Sequence, residues 1–160
     1  MTEDATYERS EYEAKMDIAY YARLHVLHER LFSRMDKLGK LLELVAGSGA
    51  FYAVTAGHDG ATKACALLIA VIALAGLVFD PAGRARGMRD AMRNYMLLLS
   101  DAEDLPLVEI DKRLARTGAD APTVLEGLRR PAYNQNLVSH GRASYTLPLT
   151  KWERFLQAIA

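Results

Sequence analysis

Hydrophobic and polar positions segregate along the 160 residues. From Leu38 to Phe79 charges nearly vanish. Lys40 and Glu43 stand at the start of this stretch, and His58, Asp59 and Lys63 cluster in its middle. Two apolar runs remain, Leu44–Gly57 and Ala64–Phe79, with His58-Asp59-Gly60 as a tight polar link. A membrane-crossing helix needs about 20 mostly apolar residues. Leu38–Gly57 and Ala61–Phe79 both have that length, with Glu43 and Lys63 near enough to their ends to snorkel. The pattern predicts an all-α fold: an integral membrane helical hairpin with spans at 38–57 and 61–79. A buried hairpin in a soluble bundle is the competing reading, because both runs are rich in Ala and Gly.

The flanks read as helices. No Pro or Gly interrupts Thr2–Leu38, and Tyr12, Met16, Ala19, Tyr20, Leu24, Leu27, Leu31, Met35 and Leu38 recur at spacings of three or four. Residues 1–37 therefore form a cytoplasmic amphipathic helix that runs directly into the first span. Asp80 is an N-cap and Pro81 a first helical residue, opening a second cytoplasmic helix over 80–100. Its apolar face is Met88, Met92, Tyr95, Met96 and Leu99. The two stripes should pair as a long antiparallel stalk. Residues 101–160 read as a small helical C-terminal region. It comprises a short helix over Pro106–Arg116 closed by Gly118, helices over Pro122–Arg130 and Pro131–His140, an extended Leu147-Pro148-Leu149, and a last helix opened by a Thr150/Glu153 capping box. No β pattern is present.

Charge sharpens the membrane reading. The totals balance, 20 basic against 20 acidic residues, but their placement is uneven. Arg30, Arg34, Lys37 and Lys40 precede the first run, and Arg84, Arg86, Arg89 and Arg93 follow the second. By the positive-inside rule both termini are cytoplasmic and the turn is outside. Residues 1–37 have no apolar signal segment. Gly49, Ala53 and Gly57 in the first span, and Ala66, Ala70 and Ala73 in the second, offer small faces for close helix contact. Cys65 is the lone cysteine, which excludes an intramolecular disulfide and a cysteine-based zinc site.

The order of these features resembles the SLATT group of bacterial two-helix membrane proteins. Tyr20-Tyr21-Ala22-Arg23 and Arg30-Leu31-Phe32 lead into the first span, and Gly47-Ser48-Gly49-Ala50-Phe51 resembles that group's small-residue patch. Basic residues follow the second span, Pro131-Ala132-Tyr133-Asn134 resembles a short helix with an aromatic-Asn pair, and a Trp-bearing helix closes the chain. The resemblance implies an inner-membrane, pore-forming homo-oligomer of a bacterial antiphage defence system. A nucleotide or oligonucleotide would control it, and a nucleotidyltransferase would be its functional neighbour.

Two residue sets fit that role. On a continuous first helix, Arg23, Arg30, Arg34, Lys37, Leu41, Ser48, Tyr52, Thr55 and Asp59 fall within about 40° of one line. In a symmetric oligomer, Ser48, Tyr52, Thr55 and Asp59 would line a pore. Alternatively, Ser48 and Thr55 bond back to their own helix. The second set is Arg84, Arg86, Arg89, Arg93, Arg30, Arg34, Lys37 and Arg23. Either these fix topology against lipid head groups, or copies of them in an oligomer, a tetramer favoured, make a positive vestibule for a phosphodiester chain such as DNA. His25 and His28 share a face without a third metal ligand and read as solvated or interhelical. Glu43 should pair with Lys40, and Tyr133 and Asn134 should pack and cap the terminal region. No phosphate-cradling Gly loop, paired-carboxylate site or nucleophile elbow occurs, so the sequence points to neither an enzyme nor a cofactor. A membrane-anchored scaffold recruiting a partner through 101–160, a holin-like lysis protein and a soluble helical adaptor are the rival functions.

Overall fold

A computed structural model describes residues 9–160, and among them every regular element is helical. Six α-helices follow in order: α1 (Glu11–Thr55), α2 (Asp59–Phe79), α3 (Pro81–Asp101), α4 (Leu107–Ala119), α5 (Arg129–Ser139) and α6 (Lys151–Ile159). Single 3-10 turns at Glu126–Leu128 and Ala143–Tyr145 precede α5 and α6.

The first helix is continuous for 45 residues, as expected. It opens later than the sequence pattern suggested, at a Ser10/Glu13 capping box: Glu13 N–H donates to Ser10 Oγ, and Ser10 N–H donates to the Glu13 carboxylate at 2.8 Å. Residues 1–8, which the predicted helix included, lie outside the described residues. α1 ends at Thr55, because Gly57 takes φ +73, a conformation that costs glycine least. The turn is therefore Ala56–His58, and Asp59-Gly60, predicted as link, already belongs to α2.

Asp80 has left-handed geometry (φ 38) between α2 and α3, and its carboxylate accepts from Gly83 N–H at 2.9 Å. Pro81 starts α3 as predicted. The C-terminal boundaries differ more. Gly118 lies inside the last turn of α4 rather than ending it. Pro122 opens no helix: only one 3-10 turn forms before α5. α5 begins two residues ahead of Pro131, where a missing N–H is harmless in the first helical turn. Gly141 (φ +71) follows it, and the Thr150/Glu153 capping box opens α6 as expected.

Packing around Glu11–Phe32 is two-sided. Ala14, Ile18 and Ala22 meet Tyr95, Leu98, Ala102 and Ile110. Leu24, Leu27 and Leu31 meet Leu128, Ala132, Leu156 and Ala160. Phe32 meets Ala85 and Met88. The long pairing of α1 with α3 was expected, and the predicted stripes are buried in part: Leu24, Leu27, Leu31, Met88 and Tyr95 lie in the core. Tyr12, Met35, Leu38 and Met96 are exposed, whereas Ala14, Ile18, Ala22, Ala85, Ala91 and Leu98 are buried. Small and large side chains mix in the first cluster, where Ala14, Ala22 and Ala102 lie with Ile18, Tyr95 and Leu98.

Beyond Phe32 the picture changes. α2 returns along α1: a side chain at Gly49 would sit 3.5 Å from Cys65 Sγ, and Gly39 and Glu43 share a groove with Ile72 and Gly76. Ala46 and Ala53 are the only buried residues of α1 after Phe32, and α2 has none. Small residues of α1 do face α2, as expected. Ala66 and Ala70 are exposed, Ala73 lines that groove at its edge, and Thr62, Cys65, Ile69 and Ile72 form the half-buried inner face. Within Asp59–Asp101 one helix is long and apolar enough to cross a membrane, with none of that window buried. Lys40 pairs with Asp36 at 2.7 Å, not with Glu43.

Candidate functional site

The eight basic residues singled out from the sequence divide by what they touch. Arg84 Nε donates to Phe79 O at 2.8 Å, and its guanidinium lies 5.9 Å from the centre of the Phe32 ring. It thus caps the C-terminus of α2, where carbonyls lack helix partners and positive charge is favoured. Arg89 pairs with Glu29 of α1 at 2.6 Å. Arg34 Nη1 donates to Ala158 O of α6 at 3.3 Å. Arg30, Lys37, Arg86 and Arg93 are exposed, and Arg23 is partly buried; among the described residues these five have no ion-pair or hydrogen-bond partner. The Arg84 and Arg89 contacts place this part of α3 beside Glu29–Phe32, so the basic residues flank the start of the exposed apolar region.

The proposed pore stripe is only partly collected. Ser48 Oγ donates to Leu44 O at 2.9 Å, and Thr55 Oγ1 to Tyr52 O at 2.9 Å. Both hydroxyls are therefore satisfied by their own helix. Ser48, Tyr52 and Thr55 are exposed, while Ala46 and Ala53 face α2. Asp59 does not continue the stripe. α1 ends at Thr55, so the regular 100° advance that placed Asp59 on that line stops at the Gly57 turn.

Sequence reasoning missed a cavity of about 500 Å³ at the other end of the molecule. Tyr21, Leu24 and His25 of α1 and Tyr95 of α3 line it, with Leu114, Ala115 and Gly118 of α4 and the segment 121–124. Arg9, Asp17 and Arg129 also line it. Tyr21 and Tyr95 stack with ring centres 5.5 Å apart, and His25 lies 5.2 Å from Tyr95. Arg9 pairs with Asp17 and Asp111, and Arg129 with Glu126. The lining comes from separate segments, each apolar or ordinary by itself. The only sequence signal was the His25/His28 pair on one helix face.

Both histidines are buried rather than solvated. His28 joins α1 to the segment before α5: its Nδ1 meets Leu24 O at 2.7 Å, and Leu125 N–H donates to its Nε2, also at 2.7 Å. Those partners fix the tautomer, with Nδ1 as donor and Nε2 as acceptor. His25 Nδ1 likewise meets Tyr21 O at 2.7 Å, but its Nε2 is sealed from solvent and has no partner. Burial lowers the pKa of both rings, and for His28 the neighbouring His25 and Arg129 act in the same direction. Burial also pushes the Tyr95 phenol up. As expected, Asn134 braces the terminal region: its side chain donates to Leu147 O at 2.7 Å and accepts from Leu147 N–H at 2.8 Å. Among the described residues no group of three or more His, Cys, Asp or Glu could hold a metal ion.

No protein-family model, curated protein or solved structure matches this chain.

Proposed function

We propose that this chain is a ligand-controlled membrane channel or pore-forming effector, built from copies that each insert the second half of α1 together with α2. One observation carries the reading: α1 is a single unbroken helix whose first half is packed in a folded domain and whose second half is apolar and exposed. A bilayer is the natural cover for such a surface, and a continuous helix transmits any tilt of the domain into it. Several features support the placement. Arg30, Arg34, Lys37, Arg84, Arg86, Arg89 and Arg93 gather at one end of the apolar pair, which supports a cytoplasmic side for that end and for both termini. Ala46, Gly49 and Ala53 allow α2 to approach closely, leaving the Ser48–Tyr52–Thr55 face for neighbouring copies or a water-filled axis. Arg30, Lys37, Arg86 and Arg93 have no partner among the described residues and are the residues best placed to hold phosphate, from lipid or from a nucleotide-type ligand. A four-copy assembly in a bacterial inner membrane, linked to a nucleotidyltransferase, is the form implied by the ordered resemblance to the SLATT group.

A membrane-anchored scaffold is the second reading. It is favoured by the Ser48 and Thr55 hydroxyls, whose bonds to their own helix leave no need for pore water. Ion flux from liposomes containing the full chain separates the two. The channel reading expects flux from the wild type that Ser48→Leu or Thr55→Leu reduces. Wild-type flux in both variants would remove that face from the pore, and no flux from any form, with or without added oligonucleotides, would leave the scaffold.

A further inference from the structure

Glu43 stands inside the first apolar run without the partner that its sequence neighbours offer. Lys40, one turn before it, pairs with Asp36 at 2.7 Å instead. Among the described residues Glu43 has no ion-pair or hydrogen-bond partner, and it is partly buried. An ionisable group within a membrane segment is costly unless something compensates it, so its surroundings point to what does. Glu43 lines a groove of about 550 Å³ between α1, the end of α2 and the start of α3. Met35, Val71, Ile72 and Phe79 give it apolar walls. Gly39 and Gly76 keep it open, since a side chain beginning at either would meet nothing within 4 Å. Helix side chains tilt toward the N-terminus and share a face with the residue four before them. The Glu43 carboxylate therefore reaches back toward the space that Gly39 leaves free.

The charges along the groove define its occupant. Asp36 and Lys40 neutralise each other. The Asp80 carboxylate accepts from Gly83 N–H at the N-terminus of α3, where negative charge is favoured. Glu43 is thus the one uncompensated charge in the lining. A metal ion needs several oxygen ligands at one point, and no such group occurs among the described residues. A primary ammonium needs only acceptors for its three N–H donors, and an amphiphile brings it with an apolar chain attached. Along α1 the groove extends from Met35 to Glu43, about 12 Å at 1.5 Å per residue, from the basic flank into the apolar run. The head-group layer of a bilayer leaflet, about 5–8 Å deep, falls within that length. We infer that this groove binds one glycerophospholipid whose head group ends in a primary ammonium. The ammonium donates to the Glu43 carboxylate, and an acyl chain lies along Val71 and Ile72. A quaternary ammonium has no N–H to donate, and an anionic head group is repelled, so ethanolamine is preferred to choline or glycerol. The inference rests on the membrane reading for its supply of lipid. A lipid held there touches α1, α2 and the Asp80 turn, and so fastens the apolar pair to the packed domain where the two join.

Calorimetric titration of the full chain in dilute detergent tests the groove, with dihexanoyl phosphatidylethanolamine and its choline and glycerol counterparts as probes. These short-chain lipids dissolve without forming a bilayer. One ethanolamine lipid should bind per chain, about tenfold more tightly than the other two, the value of one charge-assisted hydrogen bond. Glu43→Gln should erase that preference while the acyl contacts remain. Gly39→Leu suits a helix better than glycine and starts in open space, so it should fill the groove and abolish binding of all three. Absence of saturable binding by the ethanolamine probe would overturn the inference, as would equal binding of the three or a preference that survives Glu43→Gln. If a second copy fills the groove instead, no probe saturates and Gly39→Leu lowers the assembly mass in light scattering, which overturns it too. Cell fractionation tests the membrane reading separately. A chain that stays out of membranes yet binds the probe as described refutes that reading and leaves the groove assignment standing. A chain that partitions into membranes yet binds no probe refutes this inference alone.

Discussion

The two halves of α1 belong to one hydrogen-bonded helix yet live in opposite environments. Between Glu11 and Phe32, nine residues are buried, and α3, α5 and α6 surround them. From Leu38 to Val54 the helix is at least as apolar, yet Leu44, Val45, Phe51 and Val54 are 61–74 % exposed. α2, which packs beside it there, has no buried residue at all. In the first half the hydrophobic effect is satisfied within the chain. In the second it is not, and about 25 cal/mol per Å² of apolar surface remains available for burial against something else. Helix formation is therefore no guide to what covers a helix; the residues that pack against it are.

The largest effect should come from reversing the character of the exposed half. Leu67 is 67 % exposed near the middle of α2. Arginine at the centre of a membrane helix costs about 2.5–3.5 kcal/mol on insertion. Leu67→Arg should move the chain from the membrane to the soluble or aggregated fraction on cell fractionation. Unchanged partitioning would mean that no bilayer covers this face.

In the packed half, His28→Ala should lower stability by about 3 kcal/mol in chemical denaturation, because it orphans the Leu125 N–H and leaves a cavity. The same ring sets a pH dependence. Its folded pKa, and that of His25, lies below the ordinary 6.5, so the unfolded chain binds more protons between the two values. Stability from these rings is complete above about 6.5. It falls as pH drops toward the lowered folded values, since protonation turns Nε2 into a donor facing the Leu125 N–H. His28→Ala should flatten that slope; an unchanged slope would assign it to other groups.

The smallest effect belongs at the join of the two regions. Asp80→Ala removes the α3 cap and keeps a left-handed backbone that Ala dislikes, for a loss of about 1–2 kcal/mol. Asp80→Asn should retain most of the stability, and equal losses in both variants would rule out the cap. Gly83 is part of the same device, since a side chain there would collide with the Asp80 carboxylate.

Much of this architecture was legible in the residues. The apolar band, the unbroken first helix, the Asp80-Pro81 restart and the Thr150 capping box are local matters of periodicity and end chemistry. The buried stripe was only partly legible because α1 is covered on two sides, so Leu24, Leu27 and Leu31 mark one interface and small residues mark the other. Ala14, Ala22, Ala85 and Ala91 bury as thoroughly as leucines. Pro122 was read as a helix start because proline suits that position, although too little follows it before Pro131 for a second helix to pack. The Tyr21–His25–Tyr95 cavity was invisible for a different reason. Its parts lie far apart in sequence, and none is unusual until the fold strips solvent from it.

The sequence by itself determined where the long helices run and which stretch is strongly apolar, because backbone propensity, caps and hydropathy act over a few residues. Only the tertiary structure decided which faces are already covered. It turned Ser48 and Thr55 back onto their own carbonyls and took Asp59 off the α1 line. It also tied Arg34, Arg84 and Arg89 into contacts within the chain, and left His25 Nε2 without a partner among the described residues. Those outcomes depend on distances between segments that no local pattern records.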